Sequence, residues 1–207
     1  MSLLNTTASN TKIKKTQNKP NNYFGKPIRM ASLSMLPDRM ICAGSKAAGC
    51  MDFCLKEAGR AQYNPAINIA RQKKTDYWHK DREGFLSQLR RELTNFQKNV
   101  CEKKNVQGVV RLNTISDIPW EEHDIPQQFP DLFFYDYTKL AKRLGNTPDN
   151  YRLMFSYSDR PQYRKQVAAA FATGVPIAVV FKNSMPSEYL GRPVVDGDLS
   201  DLDNVMA

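Results

Sequence analysis

GVVRLNTISDIPWEEHDIPQQFPDLFFYD, residues 108–136, contains two short apolar runs separated by a polar, helix-compatible stretch. GVVRLN (108–113) and LFFYD (132–136) have the length and Val/Phe/Tyr content of buried strands. Outward from this stretch the pattern repeats. YRLMFS (151–156), PIAVVF (176–181) and PVVD (193–196) follow, with helical or loop stretches at 120–128, 138–144 and 161–174 between the runs. On the other side, IRMASLSML from Ile28 has the alternation of a strand. Strands alternating with helices predict an α/β fold, a parallel-stranded sheet with crossover helices. The winding is either an open doubly wound sheet or a partial (β/α) barrel.

Residues 65–104 read as mostly helical. Phe85, Leu86, Leu89, Leu93, Phe96 and Val100 recur at helical spacing, and Asp81 stands where an N-cap belongs. Residues 1–27 are polar and rich in Asn, Thr and Lys, which predicts a disordered basic arm ahead of a single α/β domain over 28–207. The first thirty residues carry six Lys/Arg and no acid, within a formal net charge of +9. That asymmetry suits a polyanion partner, nucleic acid being the usual one, and places Lys12, Lys14 and Lys15 among its contacts. The plain alternative is a solvated tail. No run approaches the roughly 18 apolar residues that a membrane span needs. The N-terminus also lacks the apolar core and cleavage site of a secretory signal, so the expected location is cytoplasmic, with reduced cysteines.

Polar residues cluster where the strands end. GVVRLN leads to Asp117 in SDIPW, LFFYD ends in Asp136 followed by Lys139, and PVVD ends in Asp196 and Asp198. In parallel α/β folds the carboxyl ends of the strands form the ligand-binding face. Asp117 and Asp136 are therefore candidate nucleophiles or general bases, with Lys139 and Arg111 as phosphate-holding cations. Each also has a structural reading, because Asp, Asn and Ser are favoured in caps and turns. Trp120 is a stacking platform or a plug, and DGD at 196–198 is a turn or a carboxylate pair.

CAGSKAAGCMDFC, residues 42–54, holds three of the four cysteines. The spacing of Cys42, Cys50 and Cys54 is C-x7-C-x3-C, and a helix through CMDFCLKEAGRA would put the last two thiols on one side. Thiolates favour zinc or an iron–sulfur cluster, and three ligands leave a position open unless Cys101 closes it. Against this stands the tendency of free cysteine to pack as a small hydrophobe.

ICAGSKAAGCMDFCLKEAGRA, VVRLNTISDIPWE, FPDLFFYDYTK and GRPVVDGDLSDL together resemble a family of bacteriophage and prophage proteins related to gene product 88. The resemblance runs in consistent order over about residues 28–202. It implies a small α/β protein with a cysteine trio near its start. The matching positions here are Cys42, Cys50 and Cys54, with Asp117, Asp136, Lys139, Asp196 and Asp198. Through distant relatives it also implies a link to transglycosylases that install 7-deazaguanine bases in phage DNA, and so to base modification in the host cytoplasm. The resemblance also implies a further strand past DGDLSDL, where this sequence reads DNVMA. Two functions follow as expectations: a cysteine-metal enzyme acting on nucleic acid or a nucleotide, or a non-catalytic nucleic-acid-binding or host-takeover protein with a structural metal.

Overall fold

Along each strand successive side chains point to opposite faces of the sheet, and here both faces are covered. A computed structural model describes residues 1–7, 11–19, 23–51, 54 and 59–206. Its elements, in chain order, are β1 (Leu4–Asn5), α1 (Thr11–Asn18), β2 (Ile28–Leu33), α2 (Ser45–Ala48), α3 (Pro65–Lys80) and α4 (Arg82–Phe96). Then come β3 (Gln107–Arg111), α5 (Ile125–Gln128), β4 (Phe133–Thr138), β5 (Tyr151–Ser156), α6 (Arg164–Ala172) and β6 (Ile177–Ala178). A small hairpin of β7 (Glu188–Tyr189) and β8 (Arg192–Pro193) precedes α7 (Asp201–Met206).

The main sheet runs β1-β2-β3-β4-β5-β6, with β2 to β6 parallel and β1 antiparallel at the edge. The order follows the chain without reversal. A doubly wound sheet reverses at a switch point. Sequential parallel order with all crossovers on one face is instead the winding of a (β/α) barrel sector.

That crossover face buries Ala31, Leu33, Val110, Leu112, Phe134, Tyr151, Leu153 and Phe155 against the helices. Helix α4 contributes Phe85, Leu86, Leu89, Leu93 and Phe96, the face its periodicity predicts. Its start is set by Asp81, whose Oδ1 accepts from the Gly84 amide at 2.9 Å. Asn64 caps α3 in the same way, accepting from Ala66 N ahead of Pro65. Trp120 is a plug, fully buried with its ring 5.5 Å from that of Trp78. Tyr77 and Trp78 pack on Phe85, whereas Tyr63 is exposed.

The opposite face carries Ile28, Met30, Val109, Phe133, Tyr135 and Met154, covered by Ile13 of α1 and by Leu202 and Val205 of α7. The N-terminal stretch expected as a disordered arm is thus folded onto the sheet in its described parts. Ile13 is 3% exposed, and the Leu3 and Leu4 amides are held by the Glu92 carboxylate at 3.0 and 2.7 Å. Charge-rich composition hid a two-residue apolar anchor and a short amphipathic helix.

Two expected strands differ as well. Only Ile177–Ala178 of PIAVVF joins the sheet, and Val180 is 96% exposed. PVVD supplies only Pro193 to a strand, in the separate hairpin, and DGD is a turn in which Asp196 Oδ1 accepts from Asp198 N at 2.9 Å. Among the described residues no helix is long and apolar enough to cross a membrane.

Candidate functional site: the cysteine loop at the strand ends

The loop after β2 crosses the carboxyl edge of the sheet. Ile41 O accepts from Asp117 N at 2.9 Å, and Cys42 Sγ lies 3.9 Å from Ile115 O. Further along, Ala48 O accepts from Ser158 Oγ at 2.8 Å, so the loop spans from the end of β3 to that of β5. Gly44 lets it lie flat: a Cβ there would stand 2.6 Å from Lys139 Cβ. Gly49 closes α2 at φ +68°, a left-handed conformation that glycine adopts without strain.

Cys42, Cys50 and Cys54 are all half-buried. Burial pushes the Cys42 thiol well up, with the Asp117 carboxylate and then Cys50 and Cys54 adding to it. Burial likewise raises Cys50, opposed by Lys139. The three thiols are therefore within electrostatic reach of one another. Soft donors suit a thiophilic metal in type. As the chain stands, Cys50 Sγ turns to Ser45 O at 3.7 Å, and no three metal-ligating side chains form a ligand set among the described residues. Binding would need the two thiols to leave their carbonyl partners. Half of the residues of the helix expected through CMDFCLKEAGRA, 52–53 and 55–58, lie outside the described ones.

Cys101 is no fourth ligand. It is buried in the widened helical turn Gln97–Glu102 that leads into the amino end of β3, the edge opposite the trio. It packs in the crossover-face core, as a small hydrophobe does.

Lys139 stands beside the loop. Its Nζ donates to Ser156 O at 2.9 Å and Tyr157 O at 2.8 Å, and burial lowers its pKa against the pull of Cys50 and Asp117. Asp117 and Asp136 lie beneath it, both buried. Asp117 Oδ2 accepts from Lys139 N at 2.8 Å, and its Oδ1 meets Arg143 Nη1 at 2.5 Å. Arg143 also grips Glu121, through Nε at 2.7 Å and Nη2 at 2.8 Å. Asp136 accepts from Asn113 N at 2.7 Å and from the Tyr151 hydroxyl at 2.9 Å. Arg143, Glu121 and Tyr151 were not singled out in the sequence; only the distribution of charge within apolar surroundings marks them.

The polar residues expected together at the strand ends are divided. Arg111 emerges on the opposite face, where Nη1 donates to Asp201 Oδ2 at 2.7 Å. Lys12 reaches Asp201 Oδ1 at 3.1 Å, so these two predicted phosphate contacts do come together. Lys14 and Lys15 are exposed on the outer side of α1. Asp196 and Asp198 are exposed and distinct from the buried carboxylates. A shallow groove lined by Phe24, Lys26, Gln107, Asp131, Phe133 and Asn150 opens at the amino end of the strands.

Fold and site together define a parallel α/β protein wound in sequence order, with a cysteine-rich loop across its strand ends. The chain belongs to the family described as Gene product 88, which it matches over residues 2–206, as its motifs imply. No curated protein and no solved structure matches it.

Proposed function

We propose that this chain is a metal-containing α/β protein acting on nucleic acid or a nucleotide, with zinc or an iron–sulfur cluster held by Cys42, Cys50 and Cys54. The observation that carries the reading is three half-buried thiols within electrostatic reach of one another, in a loop that crosses the carboxyl edge of a parallel sheet. That edge is where α/β folds place their chemistry. Three protein ligands leave one position for water or substrate, which supplies Lewis-acid chemistry from zinc or redox chemistry from a cluster.

The chain's own residues prepare that edge. Lys139, bound to Ser156 O and Tyr157 O, places a cation next to Cys50, where it favours thiolate over thiol and can face an anionic group. Asp117 and Asp136 have both oxygens engaged, which favours a positioning role over attack on a substrate. Asp117 holds the Lys139 backbone, and Asp136 holds the Asn113 turn. Base modification of DNA is the activity within this class that the family resemblance favours.

A second reading, a non-catalytic nucleic-acid-binding protein with a structural metal, draws on the exposed Lys14 and Lys15 and on the buried state of both carboxylates. Metal analysis of anaerobically purified protein tests the common core. Metal is expected in the native chain and in Cys101→Ser, and is expected to be lost in Cys42→Ser, Cys50→Ser and Cys54→Ser. Absence of metal from the native chain, with stability unchanged by chelator, overturns both readings. Brown colour with broad visible absorption identifies a cluster and favours the enzyme. Colourless protein with stoichiometric zinc and no turnover of nucleotide or DNA favours the binding protein.

A further inference from the structure

The second layer, on the face opposite the crossover helices, contains a cluster that the cysteine edge does not use. Asp201 is fully buried at the start of α7 and receives four side-chain donors. Its Oδ2 accepts from Arg111 Nη1 at 2.7 Å and the Tyr135 hydroxyl at 3.0 Å. Its Oδ1 accepts from the Tyr137 hydroxyl at 2.9 Å and Lys12 Nζ at 3.1 Å. The Arg111 guanidinium lies over the rings of Tyr137 and Tyr135, at 4.8 and 5.8 Å, which fixes its plane.

The donors outnumber what one carboxylate takes. Two oxygens carry four donors, and a fifth, Arg111 Nε, is buried without a partner. Both cations converge on Asp201, with Asp198 a surface neighbour of Lys12 at 4.0 Å and Asp136 within electrostatic reach of Arg111. An unpaired buried donor is disfavoured, so its presence calls for a reason. A phosphate group has three terminal oxygens and up to two charges, and arginine's planar fork is suited to it. The Lys12 side chain is 35% exposed and that of Arg111 13%, so the cluster has a side open to solvent.

The occupant is carried on a short helix. Helix α7 has six residues, too few to be stable alone. It follows the largely exposed segment 182–199. Leu202 and Val205 supply its apolar contacts, and Asp203 pairs with Lys19.

We propose that Arg111, Lys12, Tyr135 and Tyr137 form a binding site for a phosphate group, and that Asp201 is its built-in occupant, displaced with α7 when a phosphate-bearing ligand enters. The site does not depend on a metal at the cysteine edge. An intramolecular competitor lowers apparent affinity by the fraction of chains in which the site is free. Removing it should therefore raise that affinity.

The test uses the full chain with inorganic phosphate and pyrophosphate, against chloride at matched ionic strength. Asp201→Ala is expected to melt below the native chain, to regain its melting temperature on adding pyrophosphate, and to bind it roughly tenfold or more tighter. Adding Arg111→Met to that variant is expected to abolish the gain. A folded Asp201→Ala that binds no tighter than the native chain overturns the proposal, as does equal rescue of the double variant. If Asp201→Ala does not fold, hydrogen exchange of the native chain decides. Faster exchange at 201–206 in phosphate than in chloride supports the site, and unchanged exchange refutes it.

Discussion

Arg143 and Asp117 form an ion pair at 2.5 Å in which both side chains are almost wholly withdrawn from water. The same guanidinium holds Glu121, so one cation on the short turn after β4 ties together three segments of the crossover layer. Breaking a buried pair from one side leaves an uncompensated charge, at a loss of about 3–5 kcal/mol. Arg143→Met should therefore lower stability by about that amount in urea denaturation. Asp117→Asn should lower it less, because Glu121 still balances the arginine. Equal effects from the two would show that Glu121 contributes nothing.

Asp136 gives a pH signature. Burial pushes its carboxyl up to about 7, opposed by the Asn113 amide, Arg111 and Tyr151. Unfolded, it titrates near about 4, so between about pH 4 and about pH 7 the folded chain holds the proton more tightly. The contribution of this group to stability is full below that window and is lost as pH rises through it. Asp136→Asn should flatten the corresponding fall in unfolding free energy, measured by denaturant titration across the window. An unchanged slope would place the ionisation elsewhere.

Thiol reactivity follows from burial. Without metal, Cys42 and Cys50 have raised pKa values, and Cys101 is pushed up to about 11. Because the thiolate is the nucleophile, Cys101 should alkylate at pH 8 roughly a hundredfold more slowly than in the unfolded chain. Iodoacetamide labelling followed by mass spectrometry measures this site by site. Rapid labelling of Cys101 in folded protein would contradict its core placement.

Gly44 tests how the loop is seated. A methyl group there meets Lys139 Cβ at 2.6 Å, so Gly44→Ala must lift the loop or shift the strand end. A loss of about 1–3 kcal/mol is expected, as for other overpacked sites. Faster alkylation of Cys42 and Cys50 should accompany it. Destabilisation without that change would mean the strain spreads into β4 instead.

The parallel sheet was legible because GVVRLN, LFFYD and YRLMFS are buried on both faces, which leaves unbroken apolar runs in the sequence. The α4 core face and the Asp81 cap were legible for similar reasons, since both depend on spacing within one helix. PIAVVF misled because it looks like the other runs, yet only Ile177 and Ala178 pair with β5. The N-terminal layer was hidden because Ile13 and Thr16 are two buried residues among lysines and asparagines. At the site, residue types were readable but sides were not. Arg111 and Asp136 belong to neighbouring strands, and which face each points to depends on pairing register.

The covering of the second sheet face has a consequence for the order in which the protein is made. Arg111 and its counter-charge Asp201 are 90 residues apart, and Thr16, which accepts from the Asp201 amide, is 185 residues from it. As the chain leaves the ribosome, the strands from β2 to β6 emerge while the guanidinium still lacks that carboxylate. Contacts of such long separation form late, because loop closure precedes any gain from them. The nascent sheet thus waits for α7 with one face covered by α1 alone, a state in which chaperones or an early ligand have access to surface that the finished protein conceals.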